Sequence, residues 1–221
     1  MTKIMLYGTV GIDVDADYIN AALADATDDI ELRINSGGGD VFDGQAIFSL
    51  LTSYKRRTGR RVLTYIDSIA ASVASVIAMA GDEINISSNA MMMVHNPWTP
   101  MAAGDADELR QLAGVLDKVR ETLITVYMGR TGLERDTVED FMDNETWFTA
   151  EEAVGLGFAD TVLDASEVIA ACVRGFEYAN VPRDLVARTP ALAAVPTAAS
   201  FQRRNLAGVQ LWLNQQKALS R

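Results

Sequence analysis

Cysteine is nearly absent: the 221-residue chain has one, Cys172. A single thiol excludes an internal disulfide framework and any cysteine-based metal cluster. Its setting, VIAACVRG, reads as that of a small buried hydrophobe. Histidine is equally scarce, and His95 is the only one, so an imidazole base working near neutral pH has to be this residue. No apolar run reaches the roughly 20 residues of a membrane-spanning helix, and the start MTKIMLYGTVG has no signal-peptide core. A cytoplasmic protein with no membrane partner is expected. Positive charge is short in the body of the chain. From Val181 onward five Arg and one Lys stand against one Asp, a net +5, which leaves −16 in the first 180 residues against −11 overall. So acidic a body is unsuited to holding nucleic acid by its phosphates. Prolines number five, and three of them fall in 182–196.

What is present is the composition of an ordinary globular protein, 49% hydrophobic and 22% charged. Short apolar strands alternate with helical stretches up to about residue 175: KIMLYG, then the amphipathic ADYINAALADA; IELRIN, then the glycine-rich SGGGDVFDG and the helix QAIFSLLTSYKRR; RVLTYI, then SIAASVASVIAMAGD. EINIS and MMMVHN read as short strands. Leu109, Leu112, Leu116, Val119, Leu123 and Val126 recur at three- and four-residue spacing and predict a long helix from about Asp105 to Met128. LERDTVEDFMD reads as a shorter helix, and TAEE opens another, with Thr149 and Glu152 spaced for a capping box. The alternation predicts an α/β fold around a largely buried sheet. The Ala/Pro/Thr-rich stretch 182–196 reads as a linker, and LAGVQLWLNQQKALS beyond it as a short amphipathic helix. The expected organisation is a domain over 1–180 and a linker with a basic tail over 181–221.

Three short stretches carry chemistry. INSGGGDVFDG lacks the Gly-Lys-Ser/Thr ending of a phosphate loop and the GxGxxG spacing of a dinucleotide site. Its consecutive glycines allow close approach of the backbone to a ligand. In DSIAASVASVIAMAGD a hydroxyl, Ser72, stands where an apolar helix emerges from a strand, either as a helix cap or as a nucleophile. Ser68 and Ser75 are rival hydroxyls, and Ser75, one turn on, suits a buried hydroxyl bonding a backbone carbonyl. His95 ends an apolar strand at a strand-to-loop edge.

Together, INSGGGDV, SIAASVASVIAMAGD, MMMVHNP and ETWFTAEEAVGLGFAD resemble the Clp-type serine peptidase family in order and content, over roughly residues 3–165. The resemblance implies a crotonase-like α/β fold of repeated β-β-α units, with the long helix projecting as a handle, and a homo-oligomeric ring that cleaves protein or peptide substrates without cofactor or metal. It makes Ser72 the nucleophile and His95 its base, with Asn96 where the family has Gln. Gly37 replaces the family's Pro, and the N–H groups of Gly39 and Val73 form the oxyanion hole, with Gly38, Asp40 and Val41 beside the substrate. The family's third residue is Asp, five positions before the Ala of its F-x-S/T-A-x-E-A segment. That position is Glu145 here, and Asp143 is the alternative two residues earlier. In an extended stretch both carboxylates would face one side.

The resemblance puts the first strand at about Lys3, without the family's preceding segment that engages an ATP-driven unfoldase. The Gly-Gly-Gly-Asp turn, the ETWFTAEEA wording and the linked tail are similar to the phage and prophage branch that processes capsid proteins. Phage prohead processing in a bacterial host is thus the expected role, with a cellular Clp-like peptidase served by an unfoldase second. From another class, the CoA-ester enzymes of the enoyl-CoA hydratase group share the fold, and a non-catalytic scaffold is the remaining alternative.

Overall fold

A computed structural model describes residues 1–99, 102–164, 178–180 and 182. Cys172, the linker after Pro182 and the tail helix lie outside the described residues. Three long strands form one side of the sheet: β1 (Thr2–Val10), β2 (Ile30–Gly39) and β3 (Val62–Ala71). They run parallel in the order β1-β2-β3-β4-β7, where β4 is Glu83–Ser87 and β7 is Thr161–Leu163. The first halves of β2 and β3 alternate buried with half-buried residues, and Ile30, Leu32, Ile34, Val62 and Ile66 face the core; the second halves are buried almost throughout.

β3 serves two neighbours along one edge. Its first half pairs with β4, Leu63 to Ile66 against Glu83 to Ile86, and its last three residues pair with β5 (Met91–Val94). β5 in turn pairs antiparallel with β6 (Thr146–Thr149). The change of partner coincides with a slip of register between β2 and β3 after Ile34. Asp67 sits at the slip, buried, and accepts from the Tyr7 hydroxyl at 2.6 Å and from the Arg33 guanidinium, with Nε at 2.9 Å. A buried carboxylate requires such partners, and these two tie it to the adjacent β2 and, beyond it, to β1.

Helices α1 (Ala16–Ala24) and α2 (Val41–Thr58) connect the long strands. α2 begins earlier than the glycine-rich stretch suggests: three glycines complete β2, and Asp40 caps α2 by accepting from the N–H groups of Phe42 and Asp43. α3 (Val73–Ala78) is short and wholly buried. α4 (Ala106–Thr131) is the long helix, opened by an Asp105/Glu108 capping box and stopped by Gly132 at φ 71°. Its first turns are exposed, and it joins the body through Val115, Val119, Leu123, Ile124 and Tyr127. α5 (Arg135–Asp143) and α6 (Ala150–Gly155) follow, the latter with the expected Thr149/Glu152 capping box. The architecture is of the α/β class that the sequence predicts, and its sheet is mostly parallel. No helix among the described residues is long and apolar enough to cross a membrane.

Candidate active site

The carboxyl ends of β2, β3 and β5 meet at one place, where open parallel sheets place their ligands. Pairing of Ala71 with Met93 continues into a hydrogen bond from the Ser72 N–H to the Met93 carbonyl, 3.0 Å. Ser72 is thereby held beside the end of β5, which His95 follows directly. The Ser72 Oγ lies 2.8 Å from His95 Nε2. Nε2 can accept the hydroxyl proton only in the tautomer that carries hydrogen on Nδ1.

Ser72 occupies the N-cap position of α3 and makes no side-chain capping bond. Its backbone is at φ 56°, an unusual region for a residue with a side chain. Such strain costs about 1–3 kcal/mol and persists only where surrounding structure imposes it. A sharp strand-to-helix turn of this kind presents a hydroxyl outward, as in nucleophile elbows generally. Val73, next in line, is the first helical residue, whose N–H has no partner within the helix. Ser75 behaves as its spacing suggests: it is buried, donates to the Ser72 carbonyl at 2.6 Å and shares a hydrogen bond with the Tyr127 hydroxyl at 2.8 Å. Ser68 is buried within β3.

The glycines close the other side. Gly38 is at φ 99°, and a Cβ there would lie 2.7 Å from the Ser72 Cβ. A Cβ on Gly39 would meet the Val10 carbonyl oxygen at 2.1 Å. Only glycine brings this strand so close to the serine. Gly39, Asp40, Val41, Ser72, Val73 and His95 line one cleft. Asp40 borders it, although one of its carboxylate oxygens caps α2. The far wall is apolar and comes from α4, through Leu112, Leu116 and Val119 among others.

The two acidic candidates separate. Asp143 ends α5, and Glu145 follows the Asn144 cap at φ 46°, so the stretch is not extended and the carboxylates do not share a side. Asp143 is half exposed and accepts from Asn96 Nδ2 at 2.7 Å and from Arg120 at 3.0 Å, both of which hold its carboxyl below the usual range. Arg120 also donates to Asn96 Oδ1 at 2.8 Å, which ties the residue after His95 to α4 and α5. Glu145 is the carboxylate whose charge is felt at His95. Burial lowers the His95 pKa from its ordinary value, and Glu145 acts in the opposite direction.

The oxygens of Glu145 are nevertheless occupied by residues late in the chain. They accept from the backbone N–H groups of Ala179 (2.8 Å) and Asn180 (2.6 Å), and from Trp147 Nε1 at 3.3 Å. Tyr178 lines the cleft, edge-on to the His95 ring at 5.6 Å and to Trp147 at 5.5 Å, and donates its hydroxyl hydrogen bond to the Gly37 carbonyl. Nothing in the sequence singles out Tyr178; an aromatic side chain outside any periodic pattern carries no signal of where it will dock.

An α/β sheet with a serine–histidine pair at a strained strand-to-helix turn defines a hydrolase of the serine type. Comparison with known proteins narrows the class. The family "Clp protease" matches residues 2–166. The chain is 32% identical over 171 residues to an ATP-dependent Clp protease proteolytic subunit of Porphyromonas gingivalis, covering 74% of this chain and 75% of that one. A protein of the same name from Bacteroides fragilis is 31% identical over 170 residues (74% and 80%), and proteolytic subunit 1 of Prochlorococcus marinus 31% over 169 (72% and 84%). The chain belongs to the Clp protease family and is a serine-type peptidase. The family match displaces the CoA-ester reading.

Proposed function

We propose that Ser72 is the nucleophile, His95 the general base and Glu145 the acid that orients it, in an enzyme that hydrolyses peptide bonds. The Ser72–His95 contact at 2.8 Å supports this most directly. Ser72 Oγ attacks the scissile carbonyl carbon while its proton passes to His95 Nε2. The oxyanion forms beside the N–H groups of Gly39 and Val73, at the positive end of a helix that also donates from its first turn. His95 returns the proton to the leaving amine, and water then hydrolyses the acyl-enzyme by the same route. Gly38, Asp40 and Val41 flank the substrate, and the apolar α4 wall suits a hydrophobic side chain of the peptide. Asp143 belongs to the Arg120 and Asn96 network instead.

The chain is proposed to act as a proteolytic subunit assembled with copies of itself into a ring and served by a separate ATP-driven unfoldase. The names of its relatives, proteolytic subunits of ATP-dependent proteases, support this reading over prohead processing. Phage capsid processing is the second reading. It is favoured by the 181–221 linker and basic tail, which lies beyond the family match. Residues 1–180 form the proposed peptidase unit.

The test is peptidase activity of Ser72→Ala beside Ser75→Ala. Ser72→Ala should remove hydrolysis by several orders of magnitude with the fold intact, whereas unchanged turnover would refute the assignment. Stimulation of protein degradation by a bacterial unfoldase and ATP, against cleavage of a capsid protein without them, separates the two roles.

A further inference from the structure

Residues Tyr178–Asn180 bind where the proposed chemistry takes place. The Tyr178 ring stands against both His95 and Trp147, and its hydroxyl reaches the carbonyl of Gly37, in the strand that flanks Ser72. Two consecutive backbone N–H groups, of Ala179 and Asn180, point at the two oxygens of Glu145. Asn180 Nδ2 adds a bond to the Asn144 carbonyl at 3.0 Å. Every contact but that to Trp147 is made to a residue of the site or to its immediate neighbour. Hydrogen bonds to a charged acceptor are the stronger kind, and a carboxylate whose two oxygens each accept from one of two consecutive backbone N–H groups is held in the orientation those groups set.

We propose that Tyr178–Asn180 is an autoinhibitory strap: it fills an aromatic-accepting subsite beside His95 and holds the Glu145 carboxylate away from the imidazole. The proposal rests on Ser72, His95 and Glu145 forming the catalytic group. In the strapped state Ser72 and His95 remain paired, but among the described residues no carboxylate hydrogen-bonds the imidazole, and the cleft is partly filled. Displacement of the strap, by a peptide seated in the cleft or by rearrangement of the chain on assembly, returns Glu145 to His95 and clears the subsite in one motion.

The test is the rate at which a small fluorophosphonate labels Ser72 in the full-length chain, followed by mass spectrometry, because so small a probe reacts without displacing the strap. Tyr178→Ala removes the ring, and Ala179→Pro removes one N–H donated to Glu145 without touching the cleft. Both should label faster than the unaltered chain by about tenfold or more, the scale set by a hydrogen bond to a charged group. Thermal melting identifies a variant that fails to fold, and the other then decides. Glu145→Gln should lower labelling far more in the Tyr178→Ala background than alone, because the carboxylate reaches His95 only once released. Labelling at an equal or lower rate in both strap variants, or an equal effect of Glu145→Gln in both backgrounds, overturns the strap alone. Failure of Ser72 to label in every form overturns the catalytic assignment and the strap with it.

Discussion

At the scale of single residues the proposed mechanism turns on the protonation of His95. A general base works only when neutral, so the rate rises as pH passes upward through its pKa. Burial puts that pKa below the ordinary 6.5, with Glu145 opposing the shift. The acid limb of kcat/KM is therefore expected to lie below pH 6.5, with the plateau reached by neutrality. Glu145→Gln takes away the influence that raises the pKa. Its acid limb should move to lower pH while the plateau falls by about 100-fold or more, as expected when the imidazole loses its orienting carboxylate. Asp143→Asn should leave the limb in place and change the plateau only a few-fold, since its partners are Asn96 and Arg120. A pH profile of kcat/KM on a small peptide for the three proteins reads all of this. A shift of the limb in Asp143→Asn rather than Glu145→Gln would exchange the roles.

At the scale of elements, the packing of α2 on α3 decides where the oxyanion donors lie. Gly44, in the first turn of α2, has no room for a side chain: a Cβ there would lie 2.0 Å from Val73 Cγ2. Gly44→Ala has to push α3 away or tilt α2. Overpacking of this kind costs about 1–3 kcal/mol, which chemical denaturation would measure. Because Val73 supplies a proposed oxyanion donor, kcat should fall as well, with KM for a short peptide little changed. Gly114 in α4, where a Cβ would meet nothing within 4 Å, is the control, and Gly114→Ala should be harmless to both. A fully active and stable Gly44→Ala protein would show that α2 does not brace α3.

At the scale of the whole molecule, the first turns of α4 stand clear of the body and present Leu109, 40% exposed. The opening residues of this helix, 106–111, are all exposed, a little under two turns at 3.6 residues per turn. In the proposed ring this surface is buried between copies. Sedimentation velocity should find species well above the 23.9 kDa of one chain, and Leu109→Glu should shift them to smaller ones. Deletion of residues 183–221 should leave both the fold and small-peptide hydrolysis intact, because the Pro/Ala-rich stretch has no hydrophobic period with which to dock. Small peptides should be cleaved without ATP, since the chain has no phosphate-loop motif. Insoluble or monomeric protein after the deletion would place the tail in the core or in the oligomer contact.

Local order explains how much of this was legible beforehand. The long strands, the α4 heptad-like spacing and the Thr149/Glu152 capping box depend on residues close in sequence, and the sequence determined them. So too with Ser72 and His95 as candidates: one sits at a strand-to-helix junction, and the other is the only imidazole in the chain. Distant partners decided the rest. β6 and β7 have four and three residues, too few for a period, and they are strands because β5 and β4 pair with them. That three glycines extend β2 rather than form a loop follows from β1 alongside, where Thr9 and Val10 pair with Gly38 and Gly39. Asp143 and Glu145 could not be told apart by spacing. The end of α5 and a positive φ at Glu145 turn their side chains to different neighbours, and that turn exists only where α5 packs between α4 and β6. The seating of Tyr178 on His95, 83 positions away in sequence, likewise belongs to the tertiary structure, because no local pattern encodes contact over such a separation.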